Sequence, residues 1–313
     1  MLTCNVAHRT FCMNQSLYSH IQSNKLKTYL LIFGFIAFIS AVFYLLGIYF
    51  GSTRGYFIAG MFISLVSGVG SYFFSDKIVL AMNNAKPADK KEWFDYYTVA
   101  ENISIAAGVP MPKLYVIVDD APNAFATGRD PKHAIVAATT GLLTRLDRSD
   151  IEGVVAHEMA HVKNYDILLM SIVTVLVGTI AYTIDFLTRS MIWGGMRDSD
   201  NNRSSGPLGA IIFILLIIIT PIIASLIQFA VSRRREYLAD ATGVLFTRNP
   251  SGLADALKKI SDYPRGMRTA STATAHLYIS NPFKKNGRRG EWLMNLFSTH
   301  PPIEDRIRLL KSM

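Results

Sequence analysis

Cysteine is nearly absent from this 313-residue chain: the only two, Cys4 and Cys12, stand in its first twelve residues. That excludes a disulfide framework, and it excludes a cysteine-ligated metal site in the rest of the chain. Cys4, His8 and Cys12 share a polar tail in which such spacing is incidental, and no metal is assigned to them. Ionisable residues are scarce in a second place, the long apolar runs, which contain no His or Glu and only Asp185, near one end. Ion carriers mark their paths with ionisable groups inside the membrane, so this pattern argues against a transporter. A small-residue cleavage site after the first apolar run is also lacking, which argues against a signal peptide and a secreted protein.

What the chain has is apolar length. Half of its residues are hydrophobic and its mean hydropathy is +0.25. Four runs are long enough to cross a bilayer: Thr28–Phe50, Tyr56–Phe74, Ile167–Leu187 and Leu208–Val231. The expected organisation is a cytoplasmic tail over 1–27, with Met13 an alternative start, then a transmembrane hairpin over 28–74 and a second pair of spans over 167–231. One soluble catalytic domain is then built from 75–166 and 232–313. The net charge of +9 follows the bilayer, not nucleic acid. Lys25 and Lys27 precede the first run, Lys77 and Lys86 follow the second, and Arg233, Arg234 and Arg235 follow the fourth. The positive-inside bias assigns all three places to the cytoplasm, and no nucleic-acid partner is expected. In the second run Gly60, Ser64 and Gly68 recur at four-residue spacing, which predicts a close-packed helix face.

The chemistry concentrates in 149–166, which carries His157-Glu158-Met159-Ala160-His161 and leads straight into the third run. On a helix the two histidines share a face and can hold one metal ion, while Glu158 points elsewhere and can reach water at the metal's open position. Ser149 and Glu152 have the spacing of a capping box, so the helix is expected to start near Asp150. A two-histidine site needs a third protein ligand, and with no cysteine available it must be His, Glu or Asp. After the fourth run, Glu236 and Asp240 stand one helical turn apart beside the three arginines. Two readings remain open there: surface ion pairs, or Glu236 as the ligand with Asp240 behind it orienting a histidine. If the helices carrying His161 and Glu236 continue unbroken into their spans, each ligand lies roughly 7–9 Å from the bilayer.

Around this core, 92–107 has helical periodicity ended by Gly108 and Pro110. Leu114–Val118, Ala124–Thr127 and Ala134–Thr139 are β-prone, and 141–146, 251–261 and 301–311 are helical. The small residues of Asn123-Ala124-Phe125-Ala126-Thr127-Gly128 suit a tight sheet corner or an exposed edge able to hold an extended peptide. The basic residues around Asn286-Gly287 read as a solvated loop tip, with contact to an anionic lipid surface the alternative.

The motifs taken together resemble the membrane-bound M48 zinc metallopeptidases. They are the 123–128 run, the His157–His161 pattern, Arg235-Glu236-Tyr237-Leu238-Ala239-Asp240, and His300-Pro301-Pro302 followed by Arg306. The resemblance implies a mainly α integral membrane protein, with four transmembrane helices and a cytoplasmic α+β zincin-like domain containing a small sheet. It implies one Zn2+ on His157, His161 and Glu236, and Glu158 as the base that activates water. Asn123 would lie beside the substrate backbone, His300 would help stabilise the tetrahedral intermediate, and Asp240 and Arg306 would stand behind the ligands. The implied activity is a zinc metalloendopeptidase of the bacterial inner membrane, acting on damaged or misfolded membrane and cytosolic polypeptides. Oligomeric state is not implied.

Overall fold

Neither of the first two helices contains a proline, and the first glycine of the chain is Gly34. In the computed structural model, which describes residues 6–195, 233–271, 273–283 and 301–313, α1 runs Val6–Phe50 and α2 Thr53–Met82. Helix α1 therefore begins well before Thr28, because nothing in the expected tail breaks it. Gly51, at φ 75°, turns the chain between them. The segments Gln22–Leu45 and Thr53–Met82 are long and apolar enough to cross a membrane. Gly60, Ser64, Gly68 and Ser71 are buried along α2 as the spacing predicts, and a Cβ at Gly60 would collide with the Phe43 ring. Leu30, Phe33 and Phe62 face outward at 61%, 73% and 67% exposure, as lipid-facing residues do.

The third apolar run lies in α6, Asp166–Gly195. Its segment Asp166–Tyr182 meets the same length and composition test together with the preceding α5, Arg148–Lys163, from which an 85° bend separates it. The expectation of an unbroken helix from His161 into the span therefore fails. Asn164 ends α5 and Tyr165 adopts a left-handed conformation, φ 59°, before Asp166 starts the new helix. The run Leu208–Val231, the basic loop around Asn286-Gly287 and His300 fall outside the described residues.

The remaining elements build a shell around α5. Strands β1 (Lys86–Pro87), β2 (Lys113–Ile117), β3 (Ala124–Thr127) and β4 (Ile135–Thr139) form a sheet in the order β1-β2-β4-β3. β2 and β4 are parallel, and β3 pairs antiparallel with β4, so β3 is an edge strand. Helix α3 (Phe94–Ala107) ends at Gly108 in the left-handed conformation, α4 (Thr140–Arg145) follows β4, and α7 (Arg233–Thr247), α8 (Pro250–Asp262) and α9 (Ile303–Leu310) complete the shell. Helix α5 begins two residues earlier than expected. Asp147 caps it and exchanges bonds with Asp150 at 3.0 and 3.2 Å, so the capping box is Asp147/Asp150, not Ser149/Glu152. Val154, Val155 and Met159 of α5 pack with Tyr96 and Ile103 of α3, Leu114 of β2, Val136 of β4 and Leu257 of α8 in one core.

Two glycines set how closely α7 and α8 approach that core helix. A Cβ on Gly153 of α5 would meet the Leu253 backbone at 2.6–2.7 Å. One on Gly243 of α7 would lie 3.0 Å from His157 N. The second approach is what brings the acids of α7 to the histidines of α5.

Candidate metal centre

His157 and His161 lie one turn apart on the buried face of α5, with Nε2 atoms 3.2 Å apart and rings at 89°. Glu236, in the first turn of α7, completes a triangle: Oε1 is 3.5 Å from His161 Nε2 and Oε2 is 3.7 Å from His157 Nε2. Two donors on a tetrahedral zinc at about 2.0–2.1 Å stand about 3.4 Å apart, so the three edges fit that ion. Both histidines turn Nε2 inward because Nδ1 is held from outside. His157 Nδ1 lies 2.9 Å from Asp240 Oδ1, and His161 Nδ1 lies 3.0 Å from Asp166 Oδ2. Such carboxylate partners fix the ring orientation of a ligand histidine.

Each carboxylate is anchored in turn. Arg306, fully buried on α9, donates Nε and Nη2 to the two oxygens of Asp240 at 2.8 and 2.6 Å. Burial opposes ionisation of Asp240, yet the Arg306 charge and the His157 bond hold it at about 2. Burial and the Arg306 charge push His157 down to about 4. At His161 burial opposes the charge, but the bond to Asp166 and the charge of Glu236 raise it to about 9. Asp166 Oδ1 receives Arg235 Nε at 2.8 Å and Asn24 Nδ2 at 2.8 Å. Asn24 also donates to Asn164 O at 3.1 Å and accepts from Arg235 Nη2 at 3.1 Å. A residue of the first membrane helix thus holds the bend that presents Asp166 to His161.

Glu158, next to His157, faces β3. It is buried, accepts a bond from the Ala126 backbone N–H, and is raised by burial to about 7. A carboxylate of that strength both takes and returns a proton near neutrality.

The model of the family described as Peptidase family M48 matches residues 95–313. The chain belongs to peptidase family M48. Among its relatives, the "Protease HtpX homolog" of Caldanaerobacter subterraneus subsp. tengcongensis is 47% identical over 302 residues, covering 96% of this chain and 98% of the relative. The protein of the same name from Thermoanaerobacter pseudethanolicus is 45% identical over 302 residues, covering 96% and 98%. That of Tropheryma whipplei is 45% identical over 299 residues, covering 95% and 98%. A solved structure, S. mikatae Ste24p, is 18% identical with a TM-score of 0.47, over 94% of this chain and 66% of the other. The chain is an HtpX-like M48 metalloprotease with membrane helices.

Of the residues that the M48 motifs single out, the fold brings His157, Glu158, His161, Glu236, Asp240 and Arg306 together. Asn123 lies at the head of β3 with its amide spent on the chain's own backbone: Nδ2 donates to Ser280 O at 2.9 Å, and Oδ1 accepts from Ser280 N at 3.4 Å. Beside it Ile279 N donates to Ala124 O at 3.0 Å, and Arg306 Nη1 donates to Ile279 O at 2.9 Å. The outer edge of β3 therefore carries the segment Tyr278–Ser280. Sequence reasoning missed that segment, and it missed Asp166 and Asn24. Asp166 had one signal, an acid five residues past a ligand histidine at a helix break, whereas Asn24 had none.

Proposed function

We propose that the chain is a zinc-dependent endopeptidase of the bacterial inner membrane, multi-pass, with both termini and the catalytic domain in the cytoplasm. It cleaves misfolded or damaged membrane and cytosolic polypeptides as part of membrane protein quality control. The carrying observation is the His157, His161, Glu236 triangle with all ligand atoms within 4.8 Å of one another, beside a buried Glu158 that is free of the ligand set. The basic clusters at 25–27, 77–86 and 233–235 support the cytoplasmic assignment.

Zinc, when bound, would supply Lewis acidity, polarising the scissile carbonyl and lowering the pKa of water. Glu158 takes the proton of the attacking water and delivers it to the leaving amine. The outward groups of β3 hold the substrate extended, and the segment Tyr278–Ser280 gives up Asn123 and Ala124 to it. His300, which opens the His300-Pro301-Pro302 motif, helps stabilise the tetrahedral intermediate. Asp240 and Arg306 keep His157 in place. Because Asp166 both starts α6 and bonds His161, the centre lies within about two helical turns, or roughly 11 Å, of the bilayer. Catalytic residues come from 75–166 and 232–313, on either side of the second membrane pair.

The test is purification in detergent with metal stripped, then addition of zinc, magnesium or calcium in the presence of an unfolded protein. Cleavage restored by zinc alone is expected. Cleavage restored by magnesium or calcium would contradict an N/O site of this geometry.

A further inference from the structure

A cavity of about 530 Å³ opens where α1, α2 and the start of α6 meet the shell around α5, and none of His157, His161 and Glu236 lines it. Lys25, Arg129 and Lys132 supply its cations, and Tyr29, Tyr72 and Tyr165 its rings. Among the described residues its one acid is Asp130, which is already engaged: His133 Nδ1 lies at 2.8 Å and Arg129 Nε at 3.5 Å. The cations are positioned by aromatic faces. Lys25 Nζ is 4.6 Å from the centre of the Tyr165 ring, and the Arg129 guanidinium is 5.6 Å from that of Phe73. Tyr29 and Tyr72 stack with centroids 6.5 Å apart across α1 and α2. Lys25 and Lys132 remain solvent-exposed.

An apolar surface continues from the cavity along the membrane helices. Leu30 and Phe33 on α1 are 61% and 73% exposed, and Val69 and Phe73 on α2 are 54% and 51% exposed. A ligand that matches both parts has an anionic head and a hydrocarbon tail. Aromatic rings at the edge of a span mark headgroup depth, and basic pockets between membrane helices take lipid phosphates. We propose that this cavity is a binding site for the phosphate headgroup of an anionic phospholipid, with the acyl chains lying on Leu30, Phe33, Val69 and Phe73. Lys25 and Tyr165 flank Asn24 and Asp166, so the lipid sits against the network that orients His161.

The experiment uses the full chain in discs of phosphatidylcholine with a minor fraction of phosphatidylglycerol. Native mass spectrometry then counts phosphatidylglycerol retained per chain. Wild type is expected to retain it in preference to phosphatidylcholine. Lys25→Gln with Lys132→Gln should weaken that retention by roughly 30-fold. The charge-keeping pair Lys25→Arg with Lys132→Arg should restore it, which separates loss of charge from loss of fold. Equal retention by wild type and the Gln pair would overturn the proposal. A photoreactive phosphatidylglycerol head should label peptides containing Tyr29, Tyr72 or Tyr165 in wild type, and labelling confined to other peptides would overturn it too. Displacement of the lipid by millimolar inorganic phosphate would assign the site to a soluble anion and overturn the lipid source.

Discussion

His161 Nδ1 lies 3.0 Å from Asp166 Oδ2 across the 85° bend between α5 and α6. On an unbroken helix residues five apart point about 140° away from each other, so the bend creates the contact. The bend in turn is held by Asn24 of α1, which bonds both Asn164 O and Asp166 Oδ1. Asp166→Asn is expected to weaken zinc affinity by about 10–100-fold. Asn24→Leu should act in the same direction but less, because Asp166 keeps Arg235. Competition against a chelating dye measures both, and unchanged affinity in Asp166→Asn would detach the bend from the metal.

Glu236 and Asp240 share one helix and both touch His157, yet only Glu236 closes the triangle of ligand atoms. Glu236→Gln should therefore reduce zinc retention more than Asp240→Asn does. In a metal titration, equal losses or the reverse order would make Asp240 the better ligand.

The close approach of α7 and α8 to α5 has a predictable stability cost when its glycines gain a side chain. Gly153→Ala and Gly243→Ala should each destabilise by about 1–3 kcal/mol through overpacking. Gly243→Ala should also lower zinc retention, because α7 carries Glu236. Thermal melts with and without zinc check this, and wild-type melting of Gly153→Ala would contradict the packing argument.

If substrates take the outer edge of β3, they compete with Tyr278–Ser280. In the Glu158→Gln protein, which should bind polypeptide without cutting it, added unfolded substrate is expected to speed hydrogen exchange at the Ile279 amide, now bonded to Ala124 O. Unchanged or slower exchange there would put the substrate elsewhere.

Much of the candidate site is legible in the sequence, because its residues are chemically distinctive and fall in short motifs. His157, Glu158 and His161 are read from helical spacing, while at Glu236 two readings stay open until the resemblance to M48 peptidases favours the ligand. Strand β3 is legible as a β-prone run between two turn-forming segments, and the packing face of α2 from Gly60, Ser64 and Gly68. The bend at Asn164-Tyr165 was not legible, since no Gly or Pro marks it and a tyrosine takes the left-handed conformation. Nor was Asn24, whose partners lie about 140 residues away in the chain. The self-pairing of Ser280 with Asn123 is equally non-local. Helix α1 ran longer than expected because apolar character marks where a helix meets lipid, not where it begins.

The central claim is that the buried triangle holds the metal and Glu158 does the proton transfer beside it. The most direct measurement compares wild type and Glu158→Gln, each loaded from the metal-free state, for zinc bound per chain and for cleavage of an unfolded protein. The account predicts about one zinc on both proteins and cleavage by wild type only. Cleavage by Glu158→Gln near the wild-type rate, or failure of that variant to bind zinc, would contradict it.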